Sequence, residues 1–130
     1  MIAINEANYP IISVHFERVA TLEDTEEYLY HFNSWLSHEQ QFGVIVHQSN
    51  SQGRDTAQVE AVHRLIVQWT KQNKLKIAQF CVGMALVINA AEMLENRRKT
   101  AAKTITAIYG CPGQVFATQM EARQWIQQQM

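Results

Sequence analysis

Two runs decide the fold: Phe42-Gly-Val-Ile-Val-His47 and Phe80-Cys-Val-Gly-Met-Ala-Leu-Val-Ile88. Neither alternates apolar with polar, so each must be buried on both faces. A strand in that position is interior to a parallel sheet covered by helices. Between the two runs, Val59, Val62, Leu65, Ile66 and Trp69 repeat at three and four residues, the stripe of an amphipathic helix. Strand, helix, strand is the crossover that a parallel pair requires.

The pattern extends outward from this centre. Upstream, Ile11 to Glu17 alternates, with Ile12, Val14 and Phe16 on one side and Ser13, His15 and Glu17 on the other. Ile2-Ala3-Ile4 precedes it across a turn from Asn5 to Tyr9, and Pro10 opens the second strand, which predicts an antiparallel edge hairpin. Thr21, with Asp24 three residues on, caps a helix whose inner positions are Tyr28, Leu29, Phe32, Trp35 and Leu36. Downstream, Asn89-Ala-Ala-Glu92 is a capping box for a helix to about Tyr109, stopped by Gly110 and Pro112. Gln114 to Ala117 is a short strand. Thr118-Gln-Met-Glu121 caps a final helix with Ala122, Trp125 and Ile126 inside. The order β-β-α-β-α-β-α-β-α is an α/β fold with a mixed, mostly parallel sheet and right-handed crossovers, taking residues 1–130 as one domain. Trp35, Trp69 and Trp125 fall on the stripes of three different helices, and all three are expected against the sheet.

Composition narrows the function. With 130 residues, 47% hydrophobic and 18% charged, the chain can bury a full core and is not a disordered segment. Its two cysteines, Cys81 and Cys111, exclude a disulfide framework and a four-cysteine zinc site. Cys81 reads as core; Cys111 reads as a loop residue with nothing beside it to lower its pKa. The longest apolar run, 80–88, is too short to span a membrane. The start, Met-Ile-Ala-Ile-Asn-Glu, has no basic region and no long apolar stretch, so no signal peptide and a cytoplasmic location are expected.

Charge is balanced in total, at a net −1, but not in place. Residues 1–40 carry Glu6, Glu17, Glu23, Asp24, Glu26, Glu27 and Glu39 against Arg18, a net of −6. Residues 61–110 carry Arg64, Lys71, Lys74, Lys76, Arg97, Arg98, Lys99 and Lys103 against Glu92 and Glu95, a net of +6. Such blocks attract each other within or between chains, or are simply solvated faces. A nucleic-acid partner is not expected: the bases at 97–99 spread around their helix, and no aromatic lies near them for stacking.

Chemical motifs are few. The histidines are His15, His31, His38, His47 and His63, with no HExxH spacing; Glu60-x-x-His63 is half of a di-iron signature without its second half. No metal and no cofactor are expected. His15 and His47 end two strands that could be neighbours, where a pair could do acid–base work or simply be hydrogen-bonded rim residues. G-x-S-x-G and Gly-rich phosphate loops are absent, so no catalytic residue is assigned and a non-enzyme is expected. The most suggestive stretch is Ser49-Asn-Ser-Gln-Gly-Arg-Asp-Thr56. It joins the carboxyl end of a central strand to a helix N-terminus, the edge where open α/β sheets bind ligands and where helix amides favour anions. Ser49, Ser51, Gly53, Arg54 and Thr56 are therefore candidates for a ligand or phosphorylation loop, joined by Asn89 and Thr118 at the ends of the next two strands. A turn capped at Asp55 or Thr56 would use the same residues with no ligand.

Several stretches carry a family likeness: Tyr9-Pro-Ile-Ile-Ser-Val-His-Phe16, Thr21-Leu-Glu-Asp24 with Tyr28-Leu29, Phe42-Gly-Val-Ile-Val46, and Trp69 closing the second helix. Cys81-Val-Gly-Met-Ala-Leu-Val87 and Gln114-Val-Phe-Ala-Thr-Gln-Met-Glu-Ala-Arg-Gln-Trp-Ile126 complete the set. On these, roughly residues 2–129 resemble the SpoIIAA-like (STAS/SEC14-like) bacterial domains. The resemblance implies a non-enzymatic module that acts by association with a regulatory protein partner; the opposed charge blocks and the lack of a catalytic motif lead to the expectation of a homodimer, the commonest oligomer. In the anti-sigma factor antagonists of that group, a serine after the central strand is phosphorylated within an Asp-Ser-x-Gly stretch. This chain has Ser49-Asn-Ser-Gln-Gly53 there but not the motif, so Ser49 and Ser51 are candidates by position alone. The related SEC14 lipid carriers imply an alternative: a carrier or sensor of a small apolar (lipid-like) or anionic ligand at the carboxyl edge of the sheet. The chain is shorter than those carriers and nothing in it marks a lid.

Overall fold

The computed structural model describes residues 2–16, 21–48, 56–88 and 95–130, without the side chains of residues 48, 56–59 and 95–98. The candidate loop residues Ser49, Ser51, Gly53, Arg54 and Asn89, and the expected capping box at Asn89–Glu92, lie outside them. The described residues form β1 (Ile2–Asn5), β2 (Ile11–Phe16), α1 (Leu22–Ser37), β3 (Phe42–Gln48), α2 (Thr56–Phe80), β4 (Cys81–Val87), α3 (Glu95–Tyr109), β5 (Gly113–Phe116) and α4 (Gln119–Gln129).

The strands lie in sequence order, β1-β2-β3-β4-β5. β1 is antiparallel to β2, and every later pair is parallel. The two runs apolar on both sides, β3 and β4, are interior, as their composition demands. Each crossover steps the same way along the sheet, so the right-handed rule puts α1, α2 and α3 on one face. There Tyr28, Leu29, Phe32 and Trp35 of α1, Ile77 of α2 and Tyr109 of α3 pack on Ile12, Val14, Phe42, Val44 and Met84. α4 follows the last strand and is not a crossover. It lies on the opposite face, where Ala122 and Ile126 pack on Ile11, Ile45, Ala85 and Val87.

Local signals explain the helix ends. The Thr21 hydroxyl accepts from the Asp24 amide at 3.0 Å, and the Asp24 carboxylate accepts from the Thr21 amide at 3.4 Å, the expected reciprocal cap. The Thr118 box is half formed: its hydroxyl accepts from the Glu121 amide, but the Glu121 carboxylate accepts from that same hydroxyl and not from the backbone.

α2 is longer than its apolar repeat suggests. It does not close at Trp69 but runs to Phe80, which was expected to open the strand. Residues 70–80 contain neither glycine nor proline, and buried Ile77 continues the inner stripe. The chain passes directly from this helix into β4. There, Phe42 pairs with Cys81 but Gly43 pairs with Gly83, so Val82 is one residue extra. This bulge keeps Cys81 and Met84 on the three-helix face and turns Val82 to the α4 face.

The tryptophans do not share one environment. Trp35 is 1% exposed, and its indole donates to the Glu6 carboxylate at 2.5 Å. Trp69 is half-buried against the core of the three-helix face, its ring 5.0 Å from that of Phe32 of α1 and its indole donating to Asn33. Trp125 is half-buried over Gly83.

Candidate functional site at the carboxyl edge of the sheet

Side chains of a strand alternate between faces. In β2 the odd-numbered positions look to the α4 side: Ile11 packs there, and Ser13 accepts a 3.0 Å hydrogen bond from the Gln119 amide group. His15, two residues beyond Ser13, stands on the same side. It pairs with His47 of β3, which lies two residues beyond buried Ile45 of the α4 face. The same row continues through Val87 to Phe116 and, on the outer side, to Ala3.

The two imidazoles therefore meet across neighbouring strands at the carboxyl edge. Their ring centres are 4.6 Å apart and their planes cross at 72°. Both residues are half-buried; among the described residues α4 packs mainly on β3, β4 and β5, and it meets β2 at Ile11 and Ser13, before the strand reaches His15. Burial holds the His47 pKa below the ordinary imidazole value, and the charge of His15 acts in the same direction. Neutral His47 carries a nitrogen lone pair available to a proton or a metal ion.

Thr118 stands at this edge as the N-cap of α4, and its hydroxyl is engaged in the cap. Thr56 begins α2. His15 and His47 were anticipated as possible strand-end neighbours, and the register makes them partners. Sequence reasoning passed over Ser13 and Gln119 as a site pair; they lie 106 positions apart, and no local pattern joins them.

A second cluster lies in the core. Cys111, expected in an unremarkable loop, is 1% exposed and interacts with the thiol of Cys81, which is 2% exposed and donates to the Gly83 carbonyl at 3.5 Å. The interaction between the thiols lowers the Cys111 pKa and raises that of Cys81, and burial raises Cys81 further. Cys111 is thus the member that ionises first, contrary to the expectation of an ordinary thiol. The hydroxyls of Tyr28 and Tyr109 belong to the same pocket of core. Burial pushes Tyr109 up to about 12 and Tyr28 well above its usual value. Tyr28 makes no hydrogen bond by distance and angle among the described residues. No three His, Cys, Asp or Glu side chains among the described residues group closely enough to enclose a metal ion. No helix among them is long and apolar enough to cross a membrane.

No protein-family model matches the chain. No curated protein matches it significantly. Its structure is similar to that of an uncharacterised protein from the DUF3478 family, from Shewanella loihica PV-4, described as having a SpoIIAA-like fold. The TM-score is 0.62 at 14% sequence identity, over 97% of this chain and 92% of that one. The chain has a SpoIIAA-like fold. The likeness is one of architecture, and it agrees with the antiparallel first pair, the parallel strands that follow and the four helices. SpoIIAA-like architecture also accounts for the stretches singled out in the sequence: they are the strands and the inner faces of helices.

Proposed function

We propose that this SpoIIAA-like domain is a non-enzymatic association module that pairs with a second copy of itself through its helical layer. The observation that supports this reading is how the fold displays the two charge blocks. On α1, Glu23, Glu26 and Glu27 are exposed. On the neighbouring helices, Arg64, Lys71, Lys74 and Lys76 of α2 and Lys99 and Lys103 of α3 are exposed. An open groove of about 330 Å³ runs along α2, with Val67 between Arg64 and Lys71. In a two-fold pair, the acidic α1 of each protomer meets the basic α2 of the other, so every complementary contact is made twice. A regulatory protein with an acidic helix would use the same surface.

Sedimentation velocity at tens of micromolar tests the proposal. The expected result is a species near twice 15.0 kDa that dissociates as salt rises. Lys71→Glu with Lys74→Glu abolishes it, and adding Glu26→Lys with Glu27→Lys restores it. A monomer at low salt and high concentration overturns the proposal.

A second reading, a small anionic ligand at the carboxyl edge, draws on the imidazole pair and on the N-terminus of α4 beside Ser13. Phosphate titration followed by amide NMR tests it: shifts confined to residues 13–15, 47 and 118–120 support it, and an unchanged spectrum excludes it.

A further inference from the structure

We propose that His15 and His47 form a two-histidine chelate for a borderline divalent transition metal such as Zn2+ or Ni2+, on the α4 side of the sheet at the carboxyl ends of β2 and β3. The inference is independent of the association reading, which concerns the opposite face.

Three observations carry it. The first is register. His15 and His47 are direct partners on adjacent strands, held by backbone pairing on both sides of each strand. Both side chains therefore leave the same face, with no loop between them to adjust. The second is spacing. A metal about 2.0–2.1 Å from each ligating nitrogen lies about 3.2 Å from each ring centre, so two ligands at roughly 90–110° hold their ring centres about 4.5–5.2 Å apart. The observed separation is 4.6 Å, with planes crossing at 72° rather than stacked. The second side-chain torsion of histidine is soft, so each ring can turn a nitrogen toward the point between them.

The third observation is the surroundings. Among the described residues, Val87 closes the row on one side, and Ala3, small and exposed, leaves it open on the other. A metal there keeps positions for water or for an added anionic ligand, as an open site does. Imidazole nitrogen selects Zn2+, Ni2+ and Cu2+ over Mg2+ and Ca2+, which prefer oxygen. The arrangement escapes a search by helical spacing, because the two ligands are 32 positions apart and meet only through strand pairing.

The test is a titration of tag-free protein with ZnCl2 or NiCl2, read by calorimetry and by the NMR signals of the histidine rings. One equivalent is expected to bind, shifting the rings of His15 and His47 and not that of His63 on α2. His15→Gln and His47→Gln should each weaken binding by at least about ten-fold, since even outer-shell changes cost roughly 10–100-fold. His63→Gln should leave it unchanged, and MgCl2 should not compete. The proposal is overturned if the wild type binds no metal up to about 1 mM. It is equally overturned if the ring signals of residues 15 and 47 stay fixed while metal binds, or if Cys111→Ser abolishes binding and the histidine variants do not. The ring shifts are read on wild-type protein, so the result stands even if a variant is poorly folded.

Discussion

Ile126 of α4 occupies the space that a side chain at Gly43 of β3 would need. Among the described residues α4 is the helix on that side of the sheet, and it comes close to the strands where Gly43 of β3 and Gly83 of β4 carry no side chain. At Gly83 an added methyl carbon would come within 2.9 Å of the Trp125 ring. Gly43→Ala and Gly83→Ala should therefore each destabilise the fold by about 1–3 kcal/mol through overpacking. Urea melts check this; a wild-type midpoint for both variants would mean that α4 is not seated as described.

The three tryptophans should separate in order. Trp35→Ala removes a fully buried ring and should cost about 3–5 kcal/mol. Trp69→Ala and Trp125→Ala remove half-buried rings and should cost less than Trp35→Ala. Equal costs for all three in the same melts would contradict the packing.

Alkaline pH should unfold the protein through its buried phenols. Tyr109 ionises at about 12 in the folded state and near 10 when unfolded. Between those values the folded state holds the extra proton, so stability is complete below about 10 and falls as pH rises toward 12. Tyr109 alone accounts for a loss of about 3 kcal/mol across that window, and Tyr28 adds to it in the same direction. Denaturant melts from pH 8 to 12 measure the loss. Tyr109→Phe should reduce the slope.

The thiol pair gives a prediction of opposite sign at each member. The Cys81 thiol lowers the Cys111 pKa, so removing it in Cys81→Ala should raise the pH at which the Cys111 thiolate appears. Thiolate absorbance in the ultraviolet reports it. Native protein should resist bulky thiol reagents at both positions, since each sulfur is sealed in the core.

How far the sequence could be read depends on the range of each interaction. The strands and helices were legible because burial on one or both sides leaves a periodic trace in neighbouring residues, as in 42–47 and in Tyr28, Leu29 and Phe32. The cap at Thr21 was legible because its partner is three residues away. Trp69 was legible as covered, but its contacts with Phe32 and Asn33 of α1 were not, because a stripe shows that a residue is covered, not what covers it. Cys111 was misjudged for a related reason: its pKa is lowered by Cys81, thirty positions upstream, and it is buried in the common core. Of the site, the histidine pair was visible as a possibility, because both residues end strands. Its register and the Ser13–Gln119 contact appear only when the strands are aligned.

The placement of α4 bears on synthesis. The three crossover helices go down in turn with their strands, so the sheet can grow one strand at a time as the chain emerges, each new strand joining an edge already formed. Among the described residues, the side that carries Ile11, Ile45, Ala85 and Val87 has no such companion until α4 arrives, after all five strands. Until then a nearly complete sheet shows water a strip of bare hydrocarbon, the surface on which half-made chains cling to one another. Ribosome-bound chains that stop before Thr118 should therefore be the ones that chaperones hold longest, and release should coincide with the docking of Ile126.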